Sequence, residues 1–134
     1  MTLIEKLEQA TEGSRELDAE IAVALGLVPD GGFLMNGNVD GATFGLDAYK
    51  TWVAPYLSTS VDAILKEVPE GWYPGVDPLF FDETGTVKYD AFLFKPIWKM
   101  WSPGPHEWIE RIEARANTIP IGYCIAVLKV KGYE

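Results

Sequence analysis

One histidine and one cysteine in 134 residues restrict the chemistry this chain can carry. His106 follows the turn-forming run Ser102-Pro-Gly-Pro105, which explains it as an exposed turn residue. A catalytic histidine needs an orienting partner and usually a neighbouring nucleophile. With a single His and a single Cys, neither a histidine-rich nor a multi-cysteine zinc site can be assembled. Cys124 falls among Gly122, Ile125 and Ala126, where a small packing residue lets a helix approach a sheet closely. Nucleophile-elbow serines and Gly-rich phosphate loops are missing from the sequence.

Carboxylates are the abundant reactive groups, twenty against eleven basic side chains, for a net charge of −9. Asn36, Asn38, Asp40 and Asp47 place oxygen ligands at a spacing that superficially resembles a calcium-binding EF-hand loop. Asn36 lacks the charge usual at the first position, Asp47 is shorter than the usual closing glutamate, and Pro29-Asp-Gly-Gly32 cannot form the entering helix. Asp82-Glu83 reads as a turn rather than an acid and base couple. Asp62 and Glu70 have sufficient structural reasons, in a first helical turn and in a closing turn.

The aromatic candidates are more numerous. Trp72, Trp98, Trp101 and Trp108 crowd one region beside Lys95, Lys99 and Arg111. Trp72, Lys95, Trp98, Lys99, Trp101 and Arg111 could stack on and neutralise a nucleotide-like ligand. Their structural reading is core filling with snorkelling lysines. Charge supports the same region. Residues 1–87 carry a net −11 and residues 88–134 a net +2, so an anion site belongs in the second half. The overall acidity disfavours direct contact with nucleic acid or an anionic membrane.

The elements that must position these residues read as follows. Thr2-Leu-Ile-Glu5 has the form of a capping box opening a short helix, Leu3 to Ala10. Ser14 caps a second helix with Leu17, Ile21, Ala24 and Leu25 on one face, Arg15, Glu16, Asp18 and Glu20 on a solvated face, and Gly26 at its end. Residues 28–56 hold five glycines and read as a long Gly-rich loop with one helical turn near Asp47 to Val53. Ser58 or Ser60 caps a third helix bearing Val61, Ile64, Leu65 and Val68. Trp72 to Val76 reads as a short strand, 82–86 as a turn, and Val87 to Phe94 as a strand that continues or resumes after Pro96.

The run from Ala91 to Trp101 is apolar on both alternating sets, as a strand covered on both faces requires. Glu107 to Arg115 can return antiparallel to Lys95–Trp101 as the second arm of a hairpin, although Glu, Arg and Ala in 108–116 also suit a helix; strand is preferred because Pro105 and Asn117 leave the segment short. Asn117-Thr118 caps a last helix with Ile121, Cys124, Ile125 and Leu128 on its buried stripe, stopped by Gly132. The expectation is a single α+β domain, a small antiparallel sheet of about three strands with helices on both faces. The absence of a signal-peptide pattern and of any long apolar run predicts a cytoplasmic protein that does not insert into membranes.

Three stretches, Arg15 to Gly26, Ser58 to Trp72 and Ala116 to Lys129, resemble the phage ABA-sandwich domain family, the middle one most specifically. The resemblance covers nearly the whole chain. It implies an α/β/α sandwich and a phage or prophage origin, and it brings no catalytic residue and no cofactor. The functional expectation is a non-enzymatic accessory protein in the host cytoplasm that binds a host or phage protein or a small nucleotide-like molecule, with counter-defence as one such role. Two alternatives stand beside it: an enzyme using a metal held by Asp40, Asp47 or Asp62, and an acidic mimic of DNA in which Glu5, Glu12, Glu16, Asp18, Glu20, Asp62 and Glu67 share one surface. A homodimer is compatible with the exposed edges of a short sheet.

Overall fold

A computed structural model describes residues 1–35, 40–47, 50–77, 80, 81, 83, 85, 87–96 and 109–133. The chain is an α+β protein, as expected, with four helices and two small antiparallel sheets among these residues.

Local capping sets the helices. α1, Leu3–Gln9, begins where the Thr2 hydroxyl accepts from the Glu5 amide, and α2, Arg15–Ala24, begins where Ser14 accepts from Leu17. Gly26, with φ +71°, takes the left-handed conformation that ends α2. α3, Val61–Leu65, is capped by Ser60, which decides between the two candidate serines. Ser58 is instead buried in the core. α4, Ile119–Val130, starts at Thr118 with Pro120 in its first turn.

Residues 28–56 depart from the expected loop. β1, Phe33–Leu34, β2, Thr43–Gly45, and β3, Thr51–Val53, form an antiparallel meander in the order β1-β2-β3. The expected helical turn near Asp47 to Val53 therefore gives way to β3 over its second half. Gly45 explains why the glycines mislead: the Phe33 ring lies across the strand from it, and a Cβ on Gly45 would come 2.6 Å from that ring. Here glycine makes room for a cross-strand aromatic rather than breaking a strand. Phe44 and Trp52 meet edge to face, 5.7 Å between centroids, and fix the β2–β3 register.

The larger sheet is built on β6, Val87–Pro96. β4, Tyr73–Val76, and β5, Phe80–Phe81, pair in succession with β6, and β7, Ile109–Ala116, pairs with Tyr89 to Pro96. Residues 109–116 are thus strand, and they pair with Tyr89 to Pro96, mostly upstream of the expected Lys95–Trp101 arm, whose residues 97–101 lie outside the described residues. The 102–105 turn lies outside the described residues. So do most residues of the 82–86 turn.

α4 is central to the core. Ile121 through Leu128 are all buried, beyond the one-sided stripe expected, because the sheet packs on one side of the helix while α1 and α3 pack on others. The approach to the sheet is close. A Cβ at Gly122 would lie 2.8 Å from the Ala91 Cβ and 3.7 Å from that of Ala116. Alternation along β6 and β7 puts Ala91, Leu93, Ala114 and Ala116 beneath α4, and Phe92, Phe94, Arg111 and Glu113 on the opposite face. Each large side chain buried in this core stabilises the fold by roughly 1.5–3 kcal/mol.

Candidate ligand-binding cleft

The structure divides the nucleotide-binding candidates. Lys95 shares the α4 side of the sheet with Leu93, and its Cε lies 3.9 Å from where a Cβ on Gly71 would sit, beside Trp72. Trp72 packs against the buried core. Arg111, paired with Phe94, projects from the other face. The three described candidates therefore do not form one cluster. Trp98, Lys99 and Trp101 lie outside the described residues, as do Trp108 and His106.

Arg111 is held by its own surroundings. Its guanidinium lies 3.7 Å from the centroid of Phe92, 2.8 Å from Asp77 Oδ2 and 2.6 Å from Glu113 Oε1. Two carboxylates already balance its charge. Beside it, Asp90 Oδ1 is buried with no hydrogen-bond partner among the described residues. Burial, together with Glu113 and Asp77, raises the Asp90 pKa above the usual carboxylate value. In-phase alternation of Asp90 with Phe92 and Phe94 was the available sequence signal.

Other groups with chemical potential are committed to structure. Asp18, expected on a solvated helix face, is fully buried. Its Oδ1 accepts from the Ser58 amide at 2.7 Å and the Ser58 hydroxyl at 2.5 Å, and its Oδ2 accepts from Arg15 at 2.6 Å. A buried carboxylate with three such donors is tolerated where a lone one would not be. Arg15 also donates to the carbonyls of Ala54 and Pro55, reaches Asp40, and lies 3.9 Å over the Tyr56 ring. This one side chain ties α2 to the meander and to the approach to α3.

Asp40 is correspondingly no open metal ligand. Its Oδ1 accepts from the Ala42 amide and the Thr43 hydroxyl, its Oδ2 from Arg15, and the Ala42 amide, then Arg15, hold its pKa below the usual value. Asp47 lies in the β2–β3 connection, where its carbonyl accepts from the Lys50 amide at 3.3 Å. Asn36 and Asn38 lie outside the described residues. No group of three His, Cys, Asp or Glu that could hold a metal occurs among the described residues. Cys124 is buried, its thiol donates to the Leu57 carbonyl at 3.0 Å, and burial followed by the Asp18 charge raises its pKa strongly.

With α2 and the meander fixed by Arg15, α1, α2, β1 and Phe44 enclose a cleft of about 760 Å³. Leu3, Ala19, Val23, Ala24, Leu34 and Phe44 supply apolar walls, and Lys6, Glu16, Glu20 and Tyr133 supply its polar groups. Ala19 and Ala24 leave the space open because they are small. Lys6 Nζ pairs with Glu20 Oε1 at 2.7 Å, bridging α1 and α2. The Tyr133 hydroxyl donates to the Ala24 carbonyl and brings the segment that follows α4 to the cleft. Gly41, at φ +90°, occupies a position where a Cβ would stand 3.2 Å from Glu16 Oε1. Glu16 has no ion-pair partner among the described residues.

Sequence reading missed this cleft. Val23 is 60% exposed on α2, and only the folded positions of α1, β1 and Tyr133 turn it into a wall. Comparison of the chain with protein-family models, with curated proteins and with solved structures finds no match. No helix among the described residues is long and apolar enough to cross a membrane.

Proposed function

We propose that the protein is a non-enzymatic binding module whose ligand is a small, mainly apolar molecule held in the cleft between α1, α2 and the meander. The cleft itself carries this reading. Its volume of about 760 Å³ falls within the range of roughly 300–1,000 Å³ typical of small-molecule sites, which combine apolar walls with a few placed polar groups. The Arg15 network builds its walls in advance, so little ordering is needed on binding. The commitment of Cys124, Ser58, Asp18 and Asp40 to internal bonds supports binding over catalysis.

A nucleotide-like ligand has less support, since Arg111 is balanced by Asp77 and Glu113 and the cleft carries two carboxylates. A DNA mimic loses Asp18 from its surface because that residue lies in the core. The sequence resemblance to phage ABA-sandwich domains adds a setting to the proposal, an accessory protein working in the host cytoplasm.

The test is a fragment screen followed by amide NMR. Bound fragments should move the resonances of Leu3, Val23 and Leu34, and Val23→Trp should abolish those shifts with the melting temperature retained. Shifts confined to other surfaces, or fragments that still bind Val23→Trp, would remove the proposal.

A further inference from the structure

We infer that the cleft ligand is an amphipathic cation, a protonated amine on an apolar body, an inference that rests on the binding reading above. The charged lining of the cleft is one lysine and two glutamates. Lys6 and Glu20 balance each other at 2.7 Å, leaving Glu16 as the lining charge without an ion-pair partner among the described residues. A cleft with apolar walls and one unbalanced carboxylate is complementary to a ligand with an apolar body and one positive end.

Several features favour that polarity. Residues 1–87, which supply every wall except Tyr133, carry a net −11, so the surrounding field attracts cations and repels anions. Glu16 lies in the first turn of α2, so a regular element holds it at the cleft. Tyr133, held by its hydroxyl bond to Ala24, lines the same cleft and places an aromatic ring, a group that attracts cations, beside it. Gly41 keeps the space beside Glu16 Oε1 clear, since a side chain there would meet the carboxylate. The apolar body belongs between Leu3, Val23, Leu34 and Phe44.

The experiment titrates 4-phenylbutylamine, 4-phenylbutanol and 4-phenylbutanoate, which share one apolar body and differ in charge, into the full chain at pH 7 with amide NMR as readout. The amine should bind about tenfold more tightly than the alcohol, the difference expected for one partly exposed charge pair. The carboxylate should bind more weakly than either. Glu16→Gln should bring the amine down to the affinity of the alcohol and leave the alcohol unchanged, and added salt should narrow the gap in the wild type. An alcohol that equals the amine, or a carboxylate that exceeds it, overturns the cation while leaving the cleft as a binding site. An amine without detectable binding at millimolar concentration also overturns the cation. Amine or alcohol shifts that map away from Leu3, Val23 and Leu34 overturn the cleft reading itself.

Discussion

The Ser58 hydroxyl lies 2.5 Å from Asp18 Oδ1 in the interior of the protein, with Arg15 on the other carboxylate oxygen. Ser58 Oγ also accepts from the Ser14 amide at 3.0 Å, so the start of α2 and the approach to α3 are joined at one point. Asp18→Ala would leave the Ser58 amide and the Arg15 guanidinium short of an acceptor. Loss of one partner from a buried ion pair costs about 3–5 kcal/mol. Urea unfolding should show that loss for Asp18→Ala and about 1–3 kcal/mol for Ser58→Ala. A cost below about 1 kcal/mol for Asp18→Ala would falsify the keystone role.

Gly122 should resist enlargement. Alanine is worth about 1 kcal/mol more than glycine inside a helix. At this position the added Cβ would stand 2.8 Å from that of Ala91, and the strand beneath cannot yield as a flexible side chain would. Gly122→Ala should therefore destabilise by about 1–3 kcal/mol despite its helix propensity. The double variant Gly122→Ala, Ala91→Gly, measured by the same unfolding assay, should recover part of the loss.

Asp90 gives the protein an acid-favouring component. Its pKa is raised on folding, chiefly by burial, so the folded state holds its proton to higher pH than the unfolded state does. The stability it contributes is fully present below the unfolded value, near 3.8, and is lost as pH rises through the raised folded value. Asp40 acts in the opposite sense, with a lowered pKa whose stabilisation is present above the ordinary value and lost as pH falls through the folded one. Asp90→Asn should melt at least as high as the wild type at pH 7 and lose the wild type's advantage on mild acidification. A melting temperature against pH that keeps the wild-type shape in Asp90→Asn would show that this carboxylate is not the source.

Cys124 should be silent in the folded protein. It is buried, hydrogen-bonded to Leu57, and its thiol is kept protonated by burial and by the Asp18 charge. Only the thiolate reacts. A thiol-reactive disulfide reagent at neutral pH should label the native protein at least about a thousandfold more slowly than the urea-unfolded protein, since labelling must wait for opening. Prompt native labelling would place Cys124 outside the core.

What was legible in the sequence is what depends on near neighbours. Thr2, Ser14, Ser60 and Thr118 cap helices through amides three residues away, and each was visible, with Ser58 the competing choice at the third. The small residues around Cys124 foretold the close helix–sheet contact that Gly122 makes. Asp18 was misplaced because its donor Ser58 is 40 residues away, and helical periodicity alone assigns a charged residue to water. The meander reads as a loop in the sequence because Gly45 has its reason in Phe33, on another strand. The cleft was invisible because Leu3, Val23, Leu34 and Tyr133 come from four separate segments.

The placement of Leu3 and Tyr133 on the same cleft has a practical outcome for anyone handling the protein. An affinity tag, a fluorescent fusion or a surface tether joined next to Leu3 or Tyr133 starts beside a lining residue of the cleft, where it can compete with whatever the cleft receives. Lys66, exposed at the end of α3 and absent from the cleft lining, is a better attachment point for a label. Capture experiments made through Lys66 and through positions next to Leu3 or Tyr133 should recover different sets of molecules, and the difference between the two sets is itself a list of what the cleft holds.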